Sequence, residues 1–299
     1  MRRIAVLGAA LFLMGASMED APAPCRAQAK GALEAVKPAY DGRTRKLAAG
    51  APGTLEAAIA GYVPPKFHPA SEGSLPPIKA GAKCPTDMAS VLSRFCVDRY
   101  EGILVEKNTD GTEKTWSPYT VPEAGKVCVA RSVKDVVPQG YVSAKTAETA
   151  CHAAGKRLCQ AAEWRVACAG SEGTAFPYGA TRVAGKCHDT GTSPMVTYHL
   201  DTMNRGWGLT ELNDPRNNQL EGTLAKTGAY PDCVNDFGIY DMVGNLHEWI
   251  HDSDGTFRGG YYMDTRLNGD GCWYTTSAHD TAYHDYSTGF RCCANLPGE

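Results

Sequence analysis

Twelve cysteines in 299 residues constrain this chain more than any other feature. The reducing cytosol disfavours stable disulfides, so such a count points to an oxidising compartment or to metal sites. No Cys-x-x-Cys pair of the zinc-ribbon kind occurs, and disulfides are the reading that follows. A cross-linked chain can hold long irregular connections in place. The 32 glycines and 18 prolines favour turns and loops over long helices. Spacing alone does not say which cysteine pairs with which.

The N-terminus agrees with export. Arg2 and Arg3 precede an apolar run, Ile4 to Ala16, which is too short to span a bilayer and suits a signal peptide. Small residues at 15–17 and 21–23 offer cleavage sites, so residues 1–23 are read as the signal. Residues 24–81 are rich in Ala and Pro, with little to build a core, and read as a linker. The folded domain is then 82–299. The protein is expected in the periplasm, on the cell surface or secreted. Membrane attachment would come only through a lipid on Cys25, and the Ala-Pro-Ala-Pro before it departs from the usual lipobox. The net charge of −3 gives no broad attraction to nucleic acid or to an anionic membrane.

Within the domain, Phe95 to Glu101 alternates as a strand does. Ser143 to Gly155 reads as an amphipathic helix, with Ser143 as N-cap, Gly155 as the stop, and Ala147, Ala150, Cys151 and Ala154 on the apolar face. A second helix runs over 160–169, where Ala161, Trp164 and Cys168 recur on one side. Residues 171–240 read mostly as loops. Asp98 and Glu101 read as structural acids.

Several strings carry a resemblance. Phe95-Cys96-Val97-Asp98-Arg99-Tyr100-Glu101, Gly155-Lys156-Arg157-Leu158 followed by Ala162-Glu163-Trp164, Phe176-Pro177-Tyr178-Gly179, and Tyr240-Asp241-Met242-Val243-Gly244-Asn245 come in order. Gly244-Asn245-Leu246-His247-Glu248-Trp249, Phe257-Arg258-Gly259-Gly260-Tyr261-Tyr262 and Gly289-Phe290-Arg291-Cys292-Cys293 follow. Together they resemble the formylglycine-generating enzyme (sulfatase-modifying factor) family over about residues 82–299. The resemblance implies a single α+β domain of the C-type-lectin-like kind, low in regular secondary structure.

It also implies two structural calcium ions. Asp241 and Glu248 would supply carboxylates to one, with the carbonyls of Gly244 and Leu246. Asn218 and Leu220 would serve the other, with His188 and Asp189, although imidazole suits calcium poorly. Hard Ca²⁺ takes such mixtures of carboxylate and carbonyl oxygens. The implied disulfides are Cys151–Cys292 and Cys168–Cys272, with Cys84–Cys96, Cys187–Cys233 and Cys159–Cys293 as further pairs. Cys25 and Cys128 stay unassigned.

The family oxidises a cysteine of a client protein with O₂, using copper(I) held by two thiolates, a soft metal on soft ligands. Here the two thiolate positions hold Asp264 and Gly269, a serine position holds Tyr261, and a tryptophan position holds His247. The family's copper chemistry is not expected to operate. Two function classes stay open. One is a binding module for a protein, peptide or glycan, for which Tyr261, Tyr262, Trp273, Tyr274, Tyr283 and Tyr286 would be a recognition surface or else core. The other is an O₂-dependent metalloenzyme, with non-haem iron held by Asp264, His247, His279 and His284. The same residues would also look like ordinary polar surface. The sequence names no substrate.

Overall fold

Arg157-Leu158 and Cys292–Asn295 explain how a chain with so few long elements closes. In the computed structural model, which describes residues 72–108, 110–123, 126 and 128–297, these two segments pair across the whole domain. The described strands are β1 (Met88–Val91), β2 (Phe95–Asp98), β3 (Gly102–Lys107), β4 (Glu113–Thr115), β5 (Cys128–Ser132), β6 (Arg157–Leu158), β7 (His247–Trp249), β8 (Phe257–Arg258), β9 (Thr275–Thr276), β10 (Thr288–Phe290) and β11 (Cys292–Asn295). They form three sheets, β1-β2-β11-β6, β10-β7-β8-β9 and β4-β3-β5. The helices are α1 (Ala144–Ala153), α2 (Ala161–Ala169), α3 (Pro194–His199) and α4 (Leu209–Leu212). Residues 201–206 fall in a separate unit from 68–200 and 207–299. Among the described residues no helix is long and apolar enough to cross a membrane. The segment read as a signal peptide, Cys25 and most of the linker lie outside the described residues.

The local signals act as expected. Ser143 adopts an extended backbone and its hydroxyl accepts from the Thr146 N–H at 3.2 Å, capping α1. Gly155 takes φ +72°, the left-handed turn that ends it. Ala144, Ala147, Ala150 and Cys151 form the buried face. Their small side chains let α1 lie close to β5 and β6. At the start of α2 the Glu163 carboxylate reaches back to the Gln160 N–H at 2.9 Å and takes both arms of Arg157. Trp164 and Cys168 face the core, as their spacing predicts.

β11 is an inner strand, and its two cysteines point to opposite faces. Cys292 joins Cys151 in the cluster around Trp249 and Phe290, and Cys293 joins Cys159 in the cluster around Trp164 and Phe95. Cys84–Cys96, Cys168–Cys272 and Cys187–Cys233 complete five disulfides, of which Cys151–Cys292 and Cys168–Cys272 are the two the resemblance implied. Cys128 is buried and, among the described residues, is the one free thiol. Gly102 is needed where it stands, because a Cβ there would lie 2.5 Å from the Phe290 ring.

Asp98 is fully buried, accepting from Lys156 Nζ at 2.6 Å and from the Cys292 N–H at 3.2 Å. Burial raises its pKa to about 6, more than Lys156 lowers it. The folded state therefore holds this proton more tightly than the unfolded chain does. The stabilisation from protonation is present below about pH 4 and is lost as pH rises through about 6. Relative to wild type, Asp98→Asn should become more stable by about 2 kcal/mol between pH 4 and 6.5. Paired urea titrations check this, and a difference that stays flat across the range refutes it.

Candidate functional site

Strand β7, the loop before it and the connection between β2 and β3 bring three carboxylates, Glu248, Asp241 and Glu101, to one buried guanidinium. Arg291 is fully buried. Its Nε donates to both Glu248 oxygens at 2.8 and 2.7 Å, and its Nη2 donates to Oε1 at 2.6 Å. Its remaining donors go to the carbonyls of Asp98 and Tyr240, at 3.0 and 2.9 Å. Trp164 Nε1 donates to Glu248 Oε2 at 2.6 Å. Glu101 lies alongside, accepting from the Asn245 amide at 2.6 Å and the Leu246 N–H at 3.2 Å. Asp241, at φ +58°, accepts from the Gly228 N–H at 2.6 Å. Burial, with Asp241 and Glu248 nearby, raises Glu101 well above the usual carboxylate range. Burial alone would lower the pKa of Arg291, but Glu248, Glu101 and Asp241 raise it.

Of the expected calcium ligands Asp241, Gly244, Leu246 and Glu248, the Glu248 carboxylate is already engaged, and this arrangement does not fit the ion. Both oxygens of Glu248 are committed to Arg291 and Trp164, so the cation of this site is the guanidinium.

The second set is also engaged. Asp189 takes Arg182 Nε on Oδ2 at 2.6 Å and the Gly185 N–H on Oδ1 at 3.0 Å. The Asn218 amide oxygen accepts from Tyr262 Oη at 3.2 Å, and its NH₂ donates to the Tyr286 carbonyl at 2.6 Å. The Leu220 carbonyl accepts from Thr223 through both N–H and hydroxyl. His188 bridges the Thr223 carbonyl and Tyr230 Oη. Burial lowers its pKa. Asn218, Leu220, His188 and Asp189 do not fit a calcium ion in this arrangement either.

The two positions that correspond to thiolates are built for other work. Asp264 Oδ1 accepts from the N–H groups of Arg266 and Leu267 at 2.9 and 3.0 Å, and Oδ2 accepts from Tyr274 Oη at 3.0 Å. It is an Asx turn. Gly269 closes the same loop at φ +115°, where a Cβ would lie 2.6 Å from the Trp273 carbonyl oxygen. This backbone does not admit a cysteine there. Nearby Cys272 is bonded to Cys168.

The histidines are not assembled around a metal. Among the described residues no three His, Cys, Asp or Glu side chains form a metal-binding group. His247 is buried between Phe257, Tyr261 and Tyr274. Burial, helped by His279, lowers its pKa to about 3, so it is a neutral imidazole. His279 packs against Phe257 and Tyr283, and His284 Nδ1 meets the Asn213 amide oxygen at 2.8 Å. The iron set Asp264, His247, His279 and His284 is therefore corrected: only Asp264 and His247 share a network.

That network runs from Asp264 through Tyr274 Oη to His247 Nε2 at 3.4 Å. It continues from His247 Nδ1 to Ser287 Oγ at 3.1 Å and on to Asp285 Oδ1 at 2.8 Å. Sequence reading missed Ser287, because a lone serine gives no signal. The aromatic residues resolve toward core. Tyr262, Tyr274 and Tyr286 are buried, and the Trp273 ring lies under the Arg165 guanidinium. Glu101, read as a structural acid, is one of the three carboxylates at Arg291.

The profile of the Sulfatase-modifying factor enzyme 1-like domain matches residues 98–296. No curated protein matches the chain. Among solved structures the chain is similar to the Major Tropism Determinant I1 Variant, at 14% identity, covering 72% of this chain and 54% of that one, with a TM-score of 0.41. The P3c Variant gives 17% identity, the same coverage and a TM-score of 0.40. The chain spans about half the length of these structures.

Proposed function

Because the chain belongs to the family of the Sulfatase-modifying factor enzyme 1-like domain, over residues 98–296, we propose that it uses that α+β scaffold as an exported binding module and not for copper-dependent oxidation of cysteine. One observation carries the reading. The loop that holds the two thiolates in the family is here a closed Asx turn, with Asp264 capping backbone N–H groups and Gly269 in a conformation that excludes a side chain. Copper(I) needs soft ligands, and the cysteine nearest in sequence is held in the Cys168–Cys272 disulfide. Five disulfides suit an oxidising environment outside the cytosol. The partner class is a protein, peptide or glycan.

Copper(I) titration against a competing chelator tests the reading. The expected result is no tight site, and no O₂ consumption when a cysteine-containing peptide is added. Tight copper(I) binding together with oxidation of that peptide would overturn it.

A further inference from the structure

Two arginines lie buried side by side far from Arg291 in sequence. Arg165 comes from α2 and Arg258 from β8, and they are 5% and 3% exposed. One carboxylate serves both. Glu72 Oε1 accepts from Arg165 Nη2 at 2.6 Å and from Arg258 Nη2 at 2.8 Å. The Arg165 guanidinium stacks on Trp273, 4.3 Å from the ring centre, and Arg258 Nη1 donates to Thr275 Oγ1 at 3.1 Å. Glu72 Oε2 and Arg258 Nε are buried without a hydrogen-bond partner.

Both guanidinium groups share one oxygen of that carboxylate, away from water. Burial, and then the neighbouring Arg258, lower Arg165 to about 10 even with Glu72 in place. The two arginines and Trp273 belong to the body of the domain, whereas the anion comes from the stretch read as linker. That stretch lies on the domain at separate points. Leu75 packs against the main core, the Pro76 carbonyl accepts from Arg94 Nη1 at 2.7 Å, and the Lys79 N–H donates to the Ser93 carbonyl at 2.7 Å. Glu72 occupies the arginine pair as a ligand would. Planar guanidinium groups on an aromatic floor are well suited to carboxylates.

We propose that Arg165, Arg258 and Trp273 form a carboxylate-binding site, filled in cis by Glu72, which accepts a free carboxylate once Glu72 is removed. The buried Arg258 Nε, without a hydrogen-bond partner, leaves capacity beyond the one oxygen that Glu72 supplies. The inference does not depend on whether the domain oxidises cysteine.

The test uses the full chain with Glu72→Ala, and Glu72→Gln as a second variant in case the first does not fold. Melting is followed in sodium propionate, a stand-in for the glutamate side chain, and in sodium chloride at equal ionic strength. Glu72→Ala should melt roughly 5–10 °C below wild type. Propionate should restore at least half of that loss in a saturable way, while chloride does not. Wild type should show no propionate-specific shift, and adding Arg258→Gln to the Glu72 variant should abolish the rescue. Equal responses to propionate and chloride would overturn the site, as would rescue that survives Arg258→Gln.

Discussion

Removing Cys151–Cys292 alone should cost about 3 kcal/mol, removing Cys159–Cys293 alone should cost about the same, and removing both should cost about 7 kcal/mol. The disulfides close loops of 141 and 134 residues. With Cys168–Cys272 retained, either bond closes an effective ring of roughly 30–40 residues when the other is absent, worth about 4 kcal/mol in the chain-entropy description. They are not independent, however. Their ends are neighbours at Cys292 and Cys293, and Cys151 and Cys159 are separated only by the end of α1 and the turn to β6. Once one bond is made, the other closes a ring of roughly ten residues, worth about 3 kcal/mol by the same relation. Each bond is therefore a partial substitute for the other, and the deletions are more than additive. Urea unfolding of the two paired Cys→Ala variants and of the quadruple variant checks this. A quadruple loss equal to the sum of the two pairs would refute it.

Breaking the pair between Arg291 and Glu248 should cost about 3–5 kcal/mol from either side, as Arg291→Met or Glu248→Gln, because each leaves a buried group without its partner. The double variant should lose less than the sum, since neither group is then orphaned. Calcium and EDTA should both leave the melting temperature unchanged, because the guanidinium holds the place in which the ion was expected. A single-variant loss below about 1 kcal/mol, or a calcium-dependent rise in melting temperature, would refute this account.

Much of the frame was legible in the sequence, for physical reasons that can be named. Ser143 and Gly155 mark the ends of α1 through groups that act within one turn. Trp164 and Cys168 declare a buried face by their spacing. Two of the five pairings, Cys151–Cys292 and Cys168–Cys272, came from the resemblance, and spacing fixed none of them. The charge arrangement was much less legible. Nothing local links Arg291 to Glu248, or Glu72 to Arg165 and Arg258, because those contacts span 43 to 186 residues. Arg182 likewise settles on Asp189 through a loop that carries no periodic signal. Glu248 lies in β7, but its charge partner Arg291 sits beyond β10 and was read only as part of a motif.

The two disulfides on β11 also impose an order in time. Three of the five bonds need residues 272–293, while Cys84–Cys96 and Cys187–Cys233 need only what lies before residue 234. During synthesis the early pairs can close first, while Cys151, Cys159 and Cys168 still lack their partners. Cys292 and Cys293 then arrive together, and each has two nearby candidates. Oxidation before β11 has paired with β2 and β6 could join either to the wrong mate. Strand alternation resolves the choice, since docking the strand turns one sulfur to each face. Correct oxidation of the chain therefore depends on β-sheet formation coming first, and a thiol–disulfide isomerase would act chiefly at this late step.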